Sequence, residues 1–142
     1  MRFFKGSLTL ALLGALVSTV FAASSPTVVM PGKEHWVKQD GGYSMAVLYG
    51  DPSKDGYYVV RLKTGANWTF APHYHPGREN ITVISGVFYA GMGKKMDMKK
   101  LTAYPAGSFM SVPANTVHYA MTKEPAIIEL SGTEALKDVM AK

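Results

Sequence analysis

The stretch APHYHPGRENITVISG, residues 71–86, places three possible metal ligands within seven positions. Residues two apart on a β-strand point to the same side, so a strand through this region presents His73 and His75 together. Residues 76–78 have the composition of a turn, which would reverse the chain and bring Glu79 beside the two imidazoles. Taken alone, a His-x-His pair is more often two surface or core histidines.

A fourth possible ligand lies in the stretch GSFMSVPANTVH, residues 107–118. Here a strand and a turn led by Pro113 precede another strand, on which His118 can face the same interior. Three imidazoles and one carboxylate suit iron, manganese, nickel, copper or zinc, and leave one or two coordination positions for water or substrate. The four-part pattern therefore favours one open, divalent-metal site over unconnected histidines.

Both stretches resemble the paired motifs of the cupin superfamily. The first cupin motif contains His-x-His, a glutamate after three or four residues, and a glycine after six more, and residues 73–86 match this spacing. The second motif is matched at Gly107, Pro113 and His118, whereas Asn115 replaces a turn glycine. The resemblance implies a small, single-domain cupin of the RmlC-like type that retains all four ligands.

Short apolar runs separated by turn residues continue through most of the chain and are typical of a barrel or sandwich. The fold class we predict is all-β, a single antiparallel cupin β-barrel of the jelly-roll type. A short helix over residues 134–141 is possible, with Thr133 as its cap and apolar residues on one face. The expected strands cover residues 45–49, 57–63, 68–75, 80–90, 108–112, 117–122 and 126–130.

The first 22 residues have the pattern of an export signal. Arg2 and Lys5 form a basic start, and residues 8–21 are apolar and uncharged. A retained membrane anchor is the alternative, but this run is shorter than the roughly 20 residues that span a bilayer as a helix. We therefore predict cleavage after Ala22, giving a periplasmic or secreted protein with no stable membrane anchor. Residues 23–44 then form a lead-in, 45–132 the barrel and 133–142 a C-terminal tail.

Composition sets limits on the remaining possibilities. A chain of 142 residues that is 47% hydrophobic can form one domain with a core. The absence of cysteine excludes disulfides, thiolate ligands and a lipoprotein anchor. The net charge of +5 becomes +3 without Arg2 and Lys5, which is too small to imply nucleic acid. Four lysines at positions 94, 95, 99 and 100 could attract an anion or a membrane surface, but their neighbours favour a solvated loop.

Alternation along the strands predicts a mostly apolar pocket around the four ligands, suited to a small organic molecule. Arg61 could bind a substrate carboxylate if its strand face is interior, or could equally face solvent. Arg78 could orient Glu79, although a turn arginine is usually solvated, and His35 is expected on the surface. The side chains expected to point inward are Ile81, Val83, Ser85 and Ala120.

Two main functions remain open. The first is a metal-dependent enzyme of the oxygenase or Lewis-acid type, in which Glu79 is a ligand that could leave the metal to act as general base. The second is a module that binds or senses a small ligand or metal without turnover; a purely structural metal ranks below both. No second acid or base is evident near the motifs, and a homodimer is expected by family analogy alone. The proposed metal ligands are His73, His75, Glu79 and His118.

Overall fold

Two antiparallel sheets face each other and enclose the core in the computed structural model, which describes residues 24–142. One sheet has the order β1-β2-β3-β10-β5-β8 and the other β11-β4-β9-β6-β7. A short 3₁₀ helix covers Met98–Lys100. The strands are β1 (Val37–Lys38), β2 (Tyr43–Tyr49), β3 (Tyr58–Thr64), β4 (Trp68–Tyr74), β5 (Glu79–Ser85), β6 (Val87–Met92), β7 (Thr102–Pro105), β8 (Phe109–Val112), β9 (His118–Thr122), β10 (Ala126–Gly132) and β11 (Val139–Met140). The predicted all-β, antiparallel jelly roll is confirmed.

The core forms because side chains alternate between the two faces of each strand. On β3, Tyr58, Val60 and Leu62 are buried, while the residues between them face outward. The inward rows of β5 and β10 meet those of β6 across the interior, and their apolar contacts exclude water. This interior is open at one end, where the candidate metal ligands lie.

Gly86 divides the single strand that we predicted over residues 80–90. Its φ of 74° is a left-handed conformation that favours glycine, and an added Cβ would lie 2.7 Å from the backbone oxygen of Pro125. The chain turns here from β5 in one sheet to β6 in the other. Ser85, expected to point inward, is therefore exposed beside this turn.

The prediction of a helix over residues 134–141 is wrong. The segment is extended, and β11 pairs with β4 in antiparallel register. Its amides donate to remote backbone oxygens, Leu136 N to Pro52 O at 2.7 Å and Ala141 N to Pro72 O at 2.9 Å. So short a helix is marginally stable in water, whereas the open edge of β4 supplies hydrogen-bond partners along the chain.

Arg61 lies on the outer face of its sheet. Of the two orientations considered from the sequence, toward the interior or toward solvent, the second is the observed one. Its guanidinium is 2.8 Å from Oε1 of Glu34 and 3.0 Å from Oε2 of Glu129.

Both β1 and the start of β2 fall within the predicted lead-in, residues 23–44, so this part of the chain contributes to the six-stranded sheet.

The lysine-rich stretch forms an exposed turn, as a solvated loop requires. All four lysines are exposed, and the Asp97 side chain accepts a hydrogen bond from Lys99 N at the start of the 3₁₀ helix. Among residues 24–142, no helix has the length and apolar character needed to cross a membrane. The predicted signal peptide, residues 1–22, lies outside the described residues.

Candidate metal centre

The four predicted ligand side chains come together at the open end of the barrel. His73 lies near the end of β4 and pairs in register with His118, the first residue of the adjacent β9. His75 follows β4, and Glu79 opens β5 after the intervening turn. All four are buried, with at most 6% of each residue exposed. Three ring nitrogens, one from each histidine, lie within 4.8 Å of one another.

Backbone oxygens fix which nitrogen of each imidazole is free. The Nδ1 atoms of His73, His75 and His118 donate to the oxygens of Ala71, Lys137 and Thr116 at 2.8, 3.1 and 2.9 Å. A carbonyl can only accept, so each Nδ1 carries a proton, and a neutral ring then has an unprotonated Nε2. This is the tautomer that presents Nε2 to a metal.

Glu79 faces two of these imidazoles without a hydrogen bond. Its Oε1 lies 3.4 Å from Nε2 of His75, and its Oε2 lies 3.4 Å from Nε2 of His118. Both His75 Nε2 and Glu79 Oε2 are buried without a hydrogen-bond partner. Buried polar atoms are rarely left unpaired. With neutral imidazoles, the lone pairs of Nε2 and of the carboxylate face one another, and an electron-poor centre between them would satisfy both. The residues present therefore fit a divalent cation.

The electrostatics keep two of the four side chains in the state that binds metal. Burial lowers the pKa of His73 from 6.5 to about 4, so this imidazole is neutral near pH 7. Burial would raise the pKa of Glu79, but the neighbouring His118 and His75 outweigh it and lower this pKa to about 2. For His75, burial is likewise opposed by the Glu79 carboxylate, and its pKa is raised.

A largely apolar cavity that opens to solvent adjoins these ligands. Trp68 stacks on Phe70 with ring centroids 5.8 Å apart, and its indole N–H is already donated to Gly41 O. Ile81 and Ala120 line the cavity, as predicted, and among residues 24–142 no lysine or arginine does. The other lining residues are Tyr43, Leu62, Phe88, Ile128, Leu130, Leu136 and Asp138.

The family model of the ChrR cupin-like domain matches residues 24–136. This chain belongs to that family of cupins. The cupin fold and a histidine triad able to bind metal are thus both present in one chain. No curated protein sequence matches this cupin.

Solved structures resemble this cupin in fold at low sequence identity. An RmlC-like cupin from Shewanella frigidimarina is 16% identical with a TM-score of 0.63, covering 78% of this chain and 93% of its own. The polyketide cyclase RemF from Streptomyces resistomycificus is 15% identical with a TM-score of 0.67, covering 83% and 87%. KdgF from a Halomonas species is 18% identical with a TM-score of 0.62, covering 78% and 96%. Similarity at this level of sequence identity is evidence for the fold alone.

Two side chains considered from the sequence lie away from the metal centre of this cupin. His35 is exposed, as expected. Arg78 is exposed, and it donates to Ser111 Oγ at 3.1 Å rather than to Glu79. Orientation of Glu79 therefore depends on its own burial and its two imidazole neighbours.

The sequence analysis missed Asp138. Its carboxyl group lines the cavity and lies 3.3 Å from Nδ1 of His75, so the site does contain a second acid. The Asp138 side chain is 37% exposed, and its partial burial raises its pKa. The local signal was the alternation of Leu136, Asp138 and Met140, which fits a strand, but nothing near it in sequence identifies β4 as the partner.

Proposed function

We propose that this cupin is an exported enzyme that uses one divalent transition metal to transform a small, uncharged organic molecule. His73, His75, Glu79 and His118 would hold the metal. The observation that carries the proposal is the pair of buried acceptor atoms, His75 Nε2 and Glu79 Oε2, that face their neighbours without a hydrogen bond. Their position beside an accessible cavity favours an open, reactive site over a closed structural one.

The ligand set suits iron, manganese, nickel, copper or zinc. Such a cation, when bound, polarises a substrate oxygen or supports chemistry with dioxygen. The protein's own contribution is to hold the three imidazoles with Nδ1 donating to the oxygens of Ala71, Lys137 and Thr116, which leaves each Nε2 free for the cation. A fixed ring keeps its Nε2 directed at the cation, which lowers the cost of ordering the site.

Glu79 is the proposed fourth ligand and the candidate general base. A pKa of about 2 keeps it ionised throughout the physiological range, which favours the ligand role. Acting as base would require the carboxylate to leave the cation and accept a proton from the substrate. A Glu79→Gln variant separates the two roles, because loss of metal reports the ligand and loss of turnover with metal retained reports the base.

The cavity lining defines the substrate class that we propose. Since no lysine or arginine of the described chain lines the cavity, it offers no cationic side chain to a carboxylate or phosphate away from the metal. The stacked Trp68 and Phe70 present apolar ring surface, and Tyr43 packs edge-on against Trp68 with centroids 6.0 Å apart. A small neutral molecule with a planar or apolar body and one metal-binding oxygen matches this lining.

A non-catalytic binding or sensing role is the second candidate. It is favoured by the low pKa of Glu79, which leaves this carboxylate a poor proton carrier near pH 7. In that case the metal and the apolar cavity would capture a ligand without changing it.

The expected homodimer and export belong to the same proposal. Light scattering on the purified protein tests the homodimer, and sequencing of its mature N-terminus tests export.

Turnover by the metal-loaded protein decides between the two candidates. The protein, loaded separately with iron, manganese, nickel, copper and zinc, is incubated with neutral phenols, enols and ketones while products are followed by mass spectrometry and oxygen by electrode. Product formation that is lost in His118→Ala and kept in His35→Ala supports the enzyme. Saturable binding without product supports the sensor, and neither binding nor turnover with any loaded metal contradicts both.

A further inference from the structure

The C-terminal segment, residues 133–142, lies along the end of β4 that carries the metal ligands, and we call it the C-terminal strap. Two strap amides, Leu136 N and Ala141 N, donate to backbone oxygens of other segments. A third, Ala135 N, donates to Oδ1 of Asp55 at 3.1 Å. Its strand β11 pairs Met140 with His73. The strap therefore has a defined position against the site.

The strap also contacts the turn that joins His75 to Glu79. An ideal Cβ added at Gly77 would lie 2.6 Å from both the Cβ and Oε2 of Glu134. Real side chains do not approach so closely, so only glycine allows the strap and the turn to pack at this distance. The strap and the ligand turn are thus in direct contact.

His75 depends on this strap in a way that the other two histidines do not. His73 and His118 donate from Nδ1 to a backbone oxygen two residues earlier in their own segments. His75 instead donates to the oxygen of Lys137, which is 62 residues away in sequence. Oδ1 of Asp138 lies 3.3 Å from the same nitrogen. One imidazole of the triad is therefore oriented from outside its own motif.

Asp138 places a negative charge beside the His75 ring, whose Nδ1 proton is donated to Lys137 O. Within the part of the chain that the structure describes, Glu79 and Asp138 are the two residues with carboxyl groups that line the cavity. Glu79 faces Nε2 of His75, whereas Asp138 faces Nδ1 on the other side of the same ring. A carboxylate beside the N–H of a ligating imidazole fixes the tautomer and makes the ring a stronger donor to the metal.

We propose that the C-terminal strap is part of the metal centre, and that Asp138 is a positioning residue that aligns His75 and strengthens its binding to the cation. This inference rests on the proposed metal-binding function. It assigns Asp138 no direct contact with the metal and adds a carboxylate–histidine–metal arrangement to the four motif residues. Residues outside both motifs would then determine how tightly the metal is held.

Metal affinity measured by chelator competition tests the proposal on the full chain. Zn²⁺ and Co²⁺ are titrated into wild type, Asp138→Asn, Asp138→Ala and the exposed-residue control Glu124→Gln. We expect Asp138→Ala to bind each metal about 10- to 100-fold more weakly, the usual effect of removing such a partner. Asp138→Asn should fall between the two, because a side-chain oxygen stays near Nδ1 of His75 but carries no negative charge. Glu124→Gln should match wild type.

Thermal unfolding of the metal-free variants shows whether a loss of metal affinity comes from a destabilised fold. Weaker binding with an unchanged metal-free melting temperature supports positioning by Asp138. An unchanged affinity in Asp138→Ala overturns the inference. Asp55→Ala only loosens the strap at Ala135, so the inference is also overturned if this variant loses as much affinity as Asp138→Ala does. If wild type itself binds neither metal, the proposed function fails; if wild type binds and Asp138→Ala binds equally well, only this inference fails.

Discussion

Acidification should destabilise the metal-free protein through His73. This imidazole is only 3% exposed, and burial lowers its pKa from 6.5 to about 4. Between these two values the unfolded chain binds a proton that the folded chain does not, so stability falls as the pH decreases through this window. At about 1.4 kcal/mol per pKa unit, the full difference corresponds to about 3 kcal/mol, of which about 2 kcal/mol should be lost by about pH 4.5.

Urea unfolding in the presence of a chelator measures this loss. His75 has a raised pKa and acts with the opposite sign: its contribution is present at low pH and lost as the pH rises through its folded-state pKa. Comparison of wild type with His73→Gln isolates the His73 contribution, because glutamine does not titrate. Wild type should lose about 2 kcal/mol more than the variant between about pH 7 and pH 4.5. Equal losses in the two proteins would refute the reasoning.

Three further outcomes are expected. Asn115 has a φ of 59°, so urea unfolding should show that Asn115→Ala lowers the unfolding free energy by about 1 kcal/mol, whereas Asn115→Gly changes it by less. Gly77→Ala should push the strap away and weaken zinc binding in chelator competition, and adding Glu134→Gly should restore part of the affinity by removing the contacting atoms. Zinc at 1,000 times its dissociation constant should raise the unfolding free energy of wild type by about 4 kcal/mol, and His118→Ala should show little of this increase.

The fold and the grouping of His73, His75 and Glu79 were predictable because their signals are local, whereas the resemblance to the cupin motifs is what implied that His118 joins them. Strand alternation and turn composition indicated the all-β class, which the structure confirms. The spacing within residues 73–79 brings two imidazoles and a carboxylate together through one strand and one turn. Asn115 also takes the left-handed conformation that the resemblance assigns to a glycine, and its N–H donates to His75 O at 2.8 Å. Binding of metal by these residues remains our proposal.

The C-terminal strap could not be predicted, because its structure depends on a partner far away in sequence. Residues 134–141 carry apolar side chains at a spacing that fits one helix face as well as a strand. The open edge of β4, with which Val139 and Met140 pair, decides between these alternatives. Asp138 was missed for the same reason, since its relation to His75 exists only after the strap is placed.

The metal content of the purified protein tests the central claim most directly. Elemental analysis is carried out on wild type, His75→Ala and the control His35→Ala, which removes an exposed histidine outside the site. We predict close to one equivalent of a divalent transition metal per chain in wild type and in His35→Ala, with strong depletion in His75→Ala. Absence of metal from all three proteins, even after reconstitution with each candidate ion, would contradict the account and leave a metal-free, ligand-binding barrel.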